Sequence, residues 1–82
     1  MKTFKINSEE QKDKVYLSTA VVSVSRIEDD RYNNKYTEIT MSNGVKIPVT
    51  ESREDVVSKL LDEGIEVEFT WYDVKKFEFS IS

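Results

Sequence analysis

The chain contains no cysteine and no histidine. The first absence removes disulfides, thiolate nucleophiles and zinc–thiolate sites. The second removes the usual near-neutral general base and the commonest metal ligand. Glycine occurs only at Gly44 and Gly64, so no glycine-rich loop is present to cradle a phosphate. No apolar run approaches the length of a membrane span and no hydrophobic leader precedes the first strand, so the expectation is a cytoplasmic protein with no membrane partner. Positive charge is in deficit: 12 bases stand against 16 acids, a net charge of −4. No basic patch is visible along the chain, which argues against a nucleic-acid partner. With only carboxylates, lysines and hydroxyls left for chemistry, the expectation is a protein that is not an enzyme and needs no cofactor or metal.

What is present organises around Tyr36 to Gly64. Two runs, Tyr36–Met41 and Val45–Val49, flank Ser42, Asn43 and Gly44. Asn-Gly is a strong hairpin signal because both residues tolerate positive φ. A two-residue loop at Asn43-Gly44 puts the apolar side chains of the two strands on opposite faces. A three-residue loop, Ser42-Asn43-Gly44, sets Met41 opposite Val45, Ile39 opposite Ile47 and Thr37 opposite Val49. Register follows the buried face, so the second arrangement is preferred, with Gly44 in the left-handed position. Pro48, the only proline, lacks an N–H and places the Val45–Val49 strand at an edge or points its vacant side outward.

A helix follows. Ser52 or Thr50 is the candidate N-cap, Glu54 and Asp55 suit the first turn, and Gly64 is a natural stop. Val56, Val57, Leu60 and Leu61 form one apolar stripe.

The remaining chain reads mostly as strand. Met1–Ile6 alternates weakly, with Phe4 and Ile6 inward. Asn7–Lys14 is a polar loop or a single turn begun by Ser8. Val15–Ile27 is rich in β-branched residues, yet neither alternating face is clean, which predicts a bulge or bend that shifts the buried face. Glu28–Lys35 is a charged loop. Val67, Phe69 and Trp71 alternate with Glu66, Glu68, Thr70 and Tyr72, and Phe77, Phe79 and Ile81 alternate in a last strand, predicting an antiparallel hairpin. The fold expected is a single α+β domain over residues 1–82. It has a small, mostly antiparallel, barrel-like curved sheet of five to six strands, at about 2–6, 15–27, 36–41, 45–49, 65–72 and 76–81, with one helix (53–63) packed against it. A chain of this size buries roughly 60% of its unfolded surface, so its core is thin.

The run Ile39-Thr40-Met41-Ser42-Asn43-Gly44-Val45-Lys46, then Val49-Thr50-Glu51-Ser52 and the helix Arg53–Leu60, resembles the small flagellar FlbD family over about Leu17–Leu61. That resemblance implies a hairpin-then-helix unit and carries over no functional residue. The chain departs from the family in its longer Glu28–Lys35 loop, in lacking an early asparagine-glycine turn and in two added C-terminal strands. At a coarser level it is similar to LytTR-type DNA-binding domains, whose basic contact residues have no counterpart here. Short acidic domains of this look also occur among phage and mobile-element proteins, where the implied role is binding a host protein.

Trp71 shares parity with Val67 and Phe69, so it is expected in the core beneath the helix. Tyr72 points the other way and is the leading surface aromatic, with Tyr32 in the acidic loop second. Glu66, Glu68 and Glu78 form the acidic face beside them. Paired carboxylates also serve glycosidic chemistry, but such a row is ordinarily the solvated face of a sheet. The functional expectation is a non-catalytic protein-interaction or regulatory module with a protein partner. Self-association through the edge of the last hairpin or the Val45–Val49 strand is one form such a module could take, and a nucleic-acid-associated regulatory role is its rival.

Overall fold

The β-branched run after Lys14 breaks instead of merely bending. Tyr16–Leu17 forms strand β2, Ser18–Ala20 a single 3-10 turn, and Val21–Asp29 strand β3. That break passes the chain from one sheet to another. The structure, a computed structural model, describes residues 2–11, 13–29, 34–62 and 67–74. The other elements are β1 (Thr3–Asn7), β4 (Asn34–Met41), β5 (Lys46–Val49), helix α1 (Arg53–Leu61) and β6 (Val67–Thr70). Two three-stranded sheets result, ordered β2-β1-β6 and β3-β4-β5.

The fold is therefore α+β with mostly antiparallel strands, but the barrel-like sheet is two sheets and not a closed barrel. On one side the chain itself joins them, through Ser18–Ala20. On the other, Val49 of β5 bridges antiparallel to Trp71, just past the end of β6. Thr50 N donates to Thr70 O (2.9 Å) and Tyr72 N donates to Pro48 O (3.0 Å). These two bonds flank the Val49–Trp71 pair. Pro48 turns its carbonyl toward Tyr72 and has no N–H to add on that side, so the ladder cannot continue there as a full pair.

The hairpin adopts the three-residue loop. Thr37 pairs with Val49 and Ile39 with Ile47, while Met41 N donates to Val45 O at 2.8 Å. Gly44 has φ +89°. On the other flank of β4, the register shifts between Val21 and Ser23, so the predicted bulge lies at the start of β3.

Pairing of β6 is the main departure from expectation. It lies parallel to β1, with Phe4 beside Val67 and Ile6 beside Phe69. The expected last strand at 76–81, its hairpin with 65–72 and Gly64 lie outside the described residues, while the helix expected over 53–63 ends at Leu61, where Asp62 is already extended (φ −74°, ψ 122°).

One apolar layer fills the space between the sheets and α1: Phe4, Ile6, Ile39, Met41, Ile47, Val49, Val56, Val67 and Phe69. Phe4 stacks on Tyr16 with centroids 5.2 Å apart and meets Phe69 edge-on at 5.5 Å. Such ring pairs add roughly 0.5–1.5 kcal/mol each beyond their area.

Helix α1 packs against β3 and β6. Ser52 is its N-cap, with Oγ accepting from Asp55 N at 3.2 Å. Lys2 Nζ donates to the terminal Leu61 carbonyl at 3.2 Å. Arg53 Nε donates to Val24 O at 3.0 Å and ties the first turn to β3. The helix meets β6 at Phe69, whose ring centroid lies 5.7 Å from Lys59 Nζ. Val56 is fully buried and Leu60 partly so, but Leu61 is 70% exposed, correcting its place in the apolar stripe. At about 100° per residue, Leu60 lies roughly 40° from Val56 around the helix and Leu61 roughly 140°. Among the described residues no helix is long and apolar enough to cross a membrane.

Two expectations about stability follow. No atom lies within 4 Å of where a Cβ on Gly44 would sit, so a substitution there meets backbone strain alone. Gly44→Ala should cost about 1–2 kcal/mol, and Gly44→Asn clearly less. Val56→Ala should cost about 2 kcal/mol, against no more than about 0.5 kcal/mol for Leu61→Ala. Urea unfolding midpoints measure all four, and equal losses within either pair would contradict the assignment.

Candidate functional site

Three stretches of chain converge: the turn where β1 ends, the edge of β5, and the segment where β6 hands over to Trp71. Ser8 closes the first of them: its Oγ accepts from Glu10 N at 3.3 Å and its carbonyl from Gln11 N at 3.1 Å. That turn holds Glu9 and Glu10 beside the edge strand. The Val49–Trp71 bridge sets Trp71 next to β5, and Asp73 and Val74 follow it. Together Ser8, Glu9, Glu10, Pro48, Trp71, Asp73 and Val74 line a cleft of about 400 Å³. That volume is near the lower end of ligand-sized pockets, which run from about 300 to 1,000 Å³.

Among the described residues the lining is of two kinds. Pro48, Trp71 and Val74 supply apolar surface, and Glu9, Glu10 and Asp73 supply carboxylates. Trp71 is half-buried, packed against the core layer on one side while it lines the cleft. It thus keeps only part of the core role expected of it.

Tyr72 is not a free surface aromatic. It is half-buried and stacked on Tyr36, with centroids 4.9 Å apart and an interplanar angle of 19°. Its hydroxyl donates to Asn34 Oδ1 at 3.3 Å, and Asn34 is only 5% exposed. Parity had placed Tyr72 opposite Trp71 correctly, but that second face of β4 is covered, and Tyr72 covers it. Glu68 is exposed on β6, beside Lys5 in the β1 register, and it is not among the residues of the cleft. The structure therefore does not bring Tyr72 and Glu68 together as one surface. Tyr32, Glu66 and Glu78 lie outside the described residues.

The sequence assigns Glu51 no role of its own. Both its carboxylate oxygens accept from Thr70 N at 3.0 Å, and its own carbonyl accepts from the fully buried Thr37 hydroxyl. It links β4, β6 and the approach to α1. No local pattern marks such a residue, because its partners are far away in sequence.

A scan against protein-family models, a search of curated proteins and a search of solved structures each found no match to this chain.

Two tyrosines offer direct checks. Tyr72→Phe leaves the Asn34 amide oxygen without that donor and should cost about 1 kcal/mol, read from thermal or urea unfolding. Burial pushes the Tyr16 hydroxyl above its usual pKa. The neutral phenol is thus favoured in the folded chain, and the unfolded chain ionises first as pH rises past about 10. The stability this supplies is complete below that pH and is lost as pH climbs through the folded value. Tyr16→Phe should flatten that part of the alkaline decline between about pH 9 and pH 12, with the difference between the two proteins as the readout.

Proposed function

We propose that this protein is a non-catalytic protein-interaction module whose contact face is the cleft lined by Trp71. The observation that carries this reading is a half-buried tryptophan held at a ligand-sized concavity. Tryptophan is among the residues most enriched where binding energy concentrates, in part because one rigid ring gives much contact area at low entropic cost. The absence of histidine and cysteine supports binding over catalysis.

Charge-reversal at the rim tests the reading. Wild-type protein and a Glu9→Lys/Glu10→Lys/Asp73→Lys variant of matched melting temperature are each used to capture partners from the native host. Captured proteins are then purified and recombined with both forms. The expected result is a stoichiometric complex with the wild type that weakens at least tenfold with the variant. A complex equally tight with both would move the contact face elsewhere on the molecule. No reconstitutable complex at all would contradict the interaction role.

A further inference from the structure

We propose that two copies of this chain form a dimer by exchanging their first two strands. The turn Ser18–Ala20 straightens, and β1 of each copy lies against β6 of the other. The exchanged unit is held together by its own contacts. Thr3 pairs with Leu17 and Phe4 with Tyr16, the Phe4 and Tyr16 rings stack, and the Tyr16 hydroxyl donates to Gln11 Oε1. Its pairing with the rest of the molecule is with a strand far along the chain, Phe4 to Asn7 beside Val67 to Thr70. The next strand in sequence, β3, belongs to the other sheet. A second copy's β6 therefore offers the same register and the same core surface. Every native contact of the unit is remade across the dimer, which is what makes such an exchange a low-cost route to association.

The turn is built to open. Ser18–Ala20 is a three-residue 3-10 turn with no side-chain cap, closed by the Val21 N–H on the Ser18 carbonyl. Leu17 (φ −82°, ψ 124°) and Val21 (φ −75°, ψ 127°) on either side are already extended. Ser18 Oγ is buried with no hydrogen-bond partner among the described residues, a desolvation cost that the closed turn bears. The run Val15–Ile27 is rich in β-branched residues, so its local preference is for one continuous strand and conflicts with the break. Short hinges under strain invite exchange. Once straight, β2 and β3 become a single strand. Each stands at the end of its sheet among the described strands, so two copies can pair antiparallel at the hinge, where Leu17 and Val22 are exposed. Arg53 on the Val24 carbonyl confines that pairing to the hinge end of β3.

The exchange leaves the Thr50–Thr70 and Tyr72–Pro48 bonds inside each copy. It also keeps the cleft, which then combines Ser8, Glu9 and Glu10 of one copy with Pro48 and Trp71 of the other. The inference goes beyond the reading of the cleft and does not depend on what the cleft binds.

Exchange requires the buried Phe4 and Ile6 to leave the core, so the two forms interconvert only through unfolding. Wild-type protein is unfolded in urea, refolded at micromolar or millimolar concentration, and sized by gel filtration with light scattering. The chain has no cysteine, and Lys5 and Glu68 are register neighbours on β1 and β6. A Lys5→Cys/Glu68→Cys variant is refolded in the same way and joined with a short bis-maleimide before a denaturing gel. The expected result is a persistent dimer after concentrated refolding, covalently joined between chains. Dilute refolding gives monomer, joined within one chain. Ser18→Ala removes a cost that only the closed turn carries and should lower the dimer share about fivefold. Two glycines inserted after Thr19 relax the hinge and should lower it about tenfold. Monomer alone at both concentrations would overturn the proposal. So would a dimer joined only within single chains, or a dimer share that either hinge variant leaves unchanged.

Discussion

Two backbone hydrogen bonds, Thr50 N to Thr70 O and Tyr72 N to Pro48 O, make one body of two small sheets. Among the described residues each sheet has three strands, about the minimum that stands alone in water when one face is covered. Joined along this seam, the sheets share one apolar layer and close it with helix α1. The seam also explains the position of the only proline. Pro48 contributes a carbonyl at the edge of β5 and withholds an N–H, so the pairing with 70–72 is short and the chain turns away after it. Glu51 reinforces the same junction from the side, with its carboxylate on the amide of Thr70.

The candidate site depends on this junction. Trp71 lies half in the core and half in the cleft because it bridges to Val49 at the end of β6. Its neighbour Tyr72 is turned to the opposite face, where Tyr36 and Asn34 receive it. One residue of alternation therefore divides the two aromatics between a surface role and a packing role. Parallel pairing of β6 with β1 is equally needed, because it brings the turn carrying Glu9 and Glu10 to the same end as Asp73.

Local chemistry made part of this legible beforehand. The Ser42-Asn43-Gly44 loop could be read because only one register puts Ile39 and Ile47 on one face, and Gly44 takes the conformation that register needs. The start of α1 could be read because Ser52 is a capping residue in front of an apolar period. The break in the Val15–Ile27 run showed as a conflict between two faces, although its form, a 3-10 turn that changes sheets, did not. Leu61 was misplaced because a stripe at i and i+5 is wider than the face one small core can cover. The β1–β6 pairing left no mark, since Phe4 and Val67 have only tertiary contacts to bring them together. Tyr72 was misread because a half-buried strand was assumed to have a wet outer face, and here Tyr36 waits on it. Of the cleft, Pro48 and Trp71 drew notice one at a time. Glu9, Glu10 and Asp73 did not, because carboxylates in separate turns look like ordinary solubilising charge until the fold gathers them.

The most direct measurement is amide hydrogen exchange at Thr50 and Tyr72 by nuclear magnetic resonance. The account predicts that both exchange slowly, with protection comparable to that of the core strand amides of Ile39 and Phe69, because the seam opens only when the common layer opens. Exchange at both positions as fast as at the exposed turn amide of Asn43, with the core strands still protected, would show that the sheets are not held there and would contradict the account.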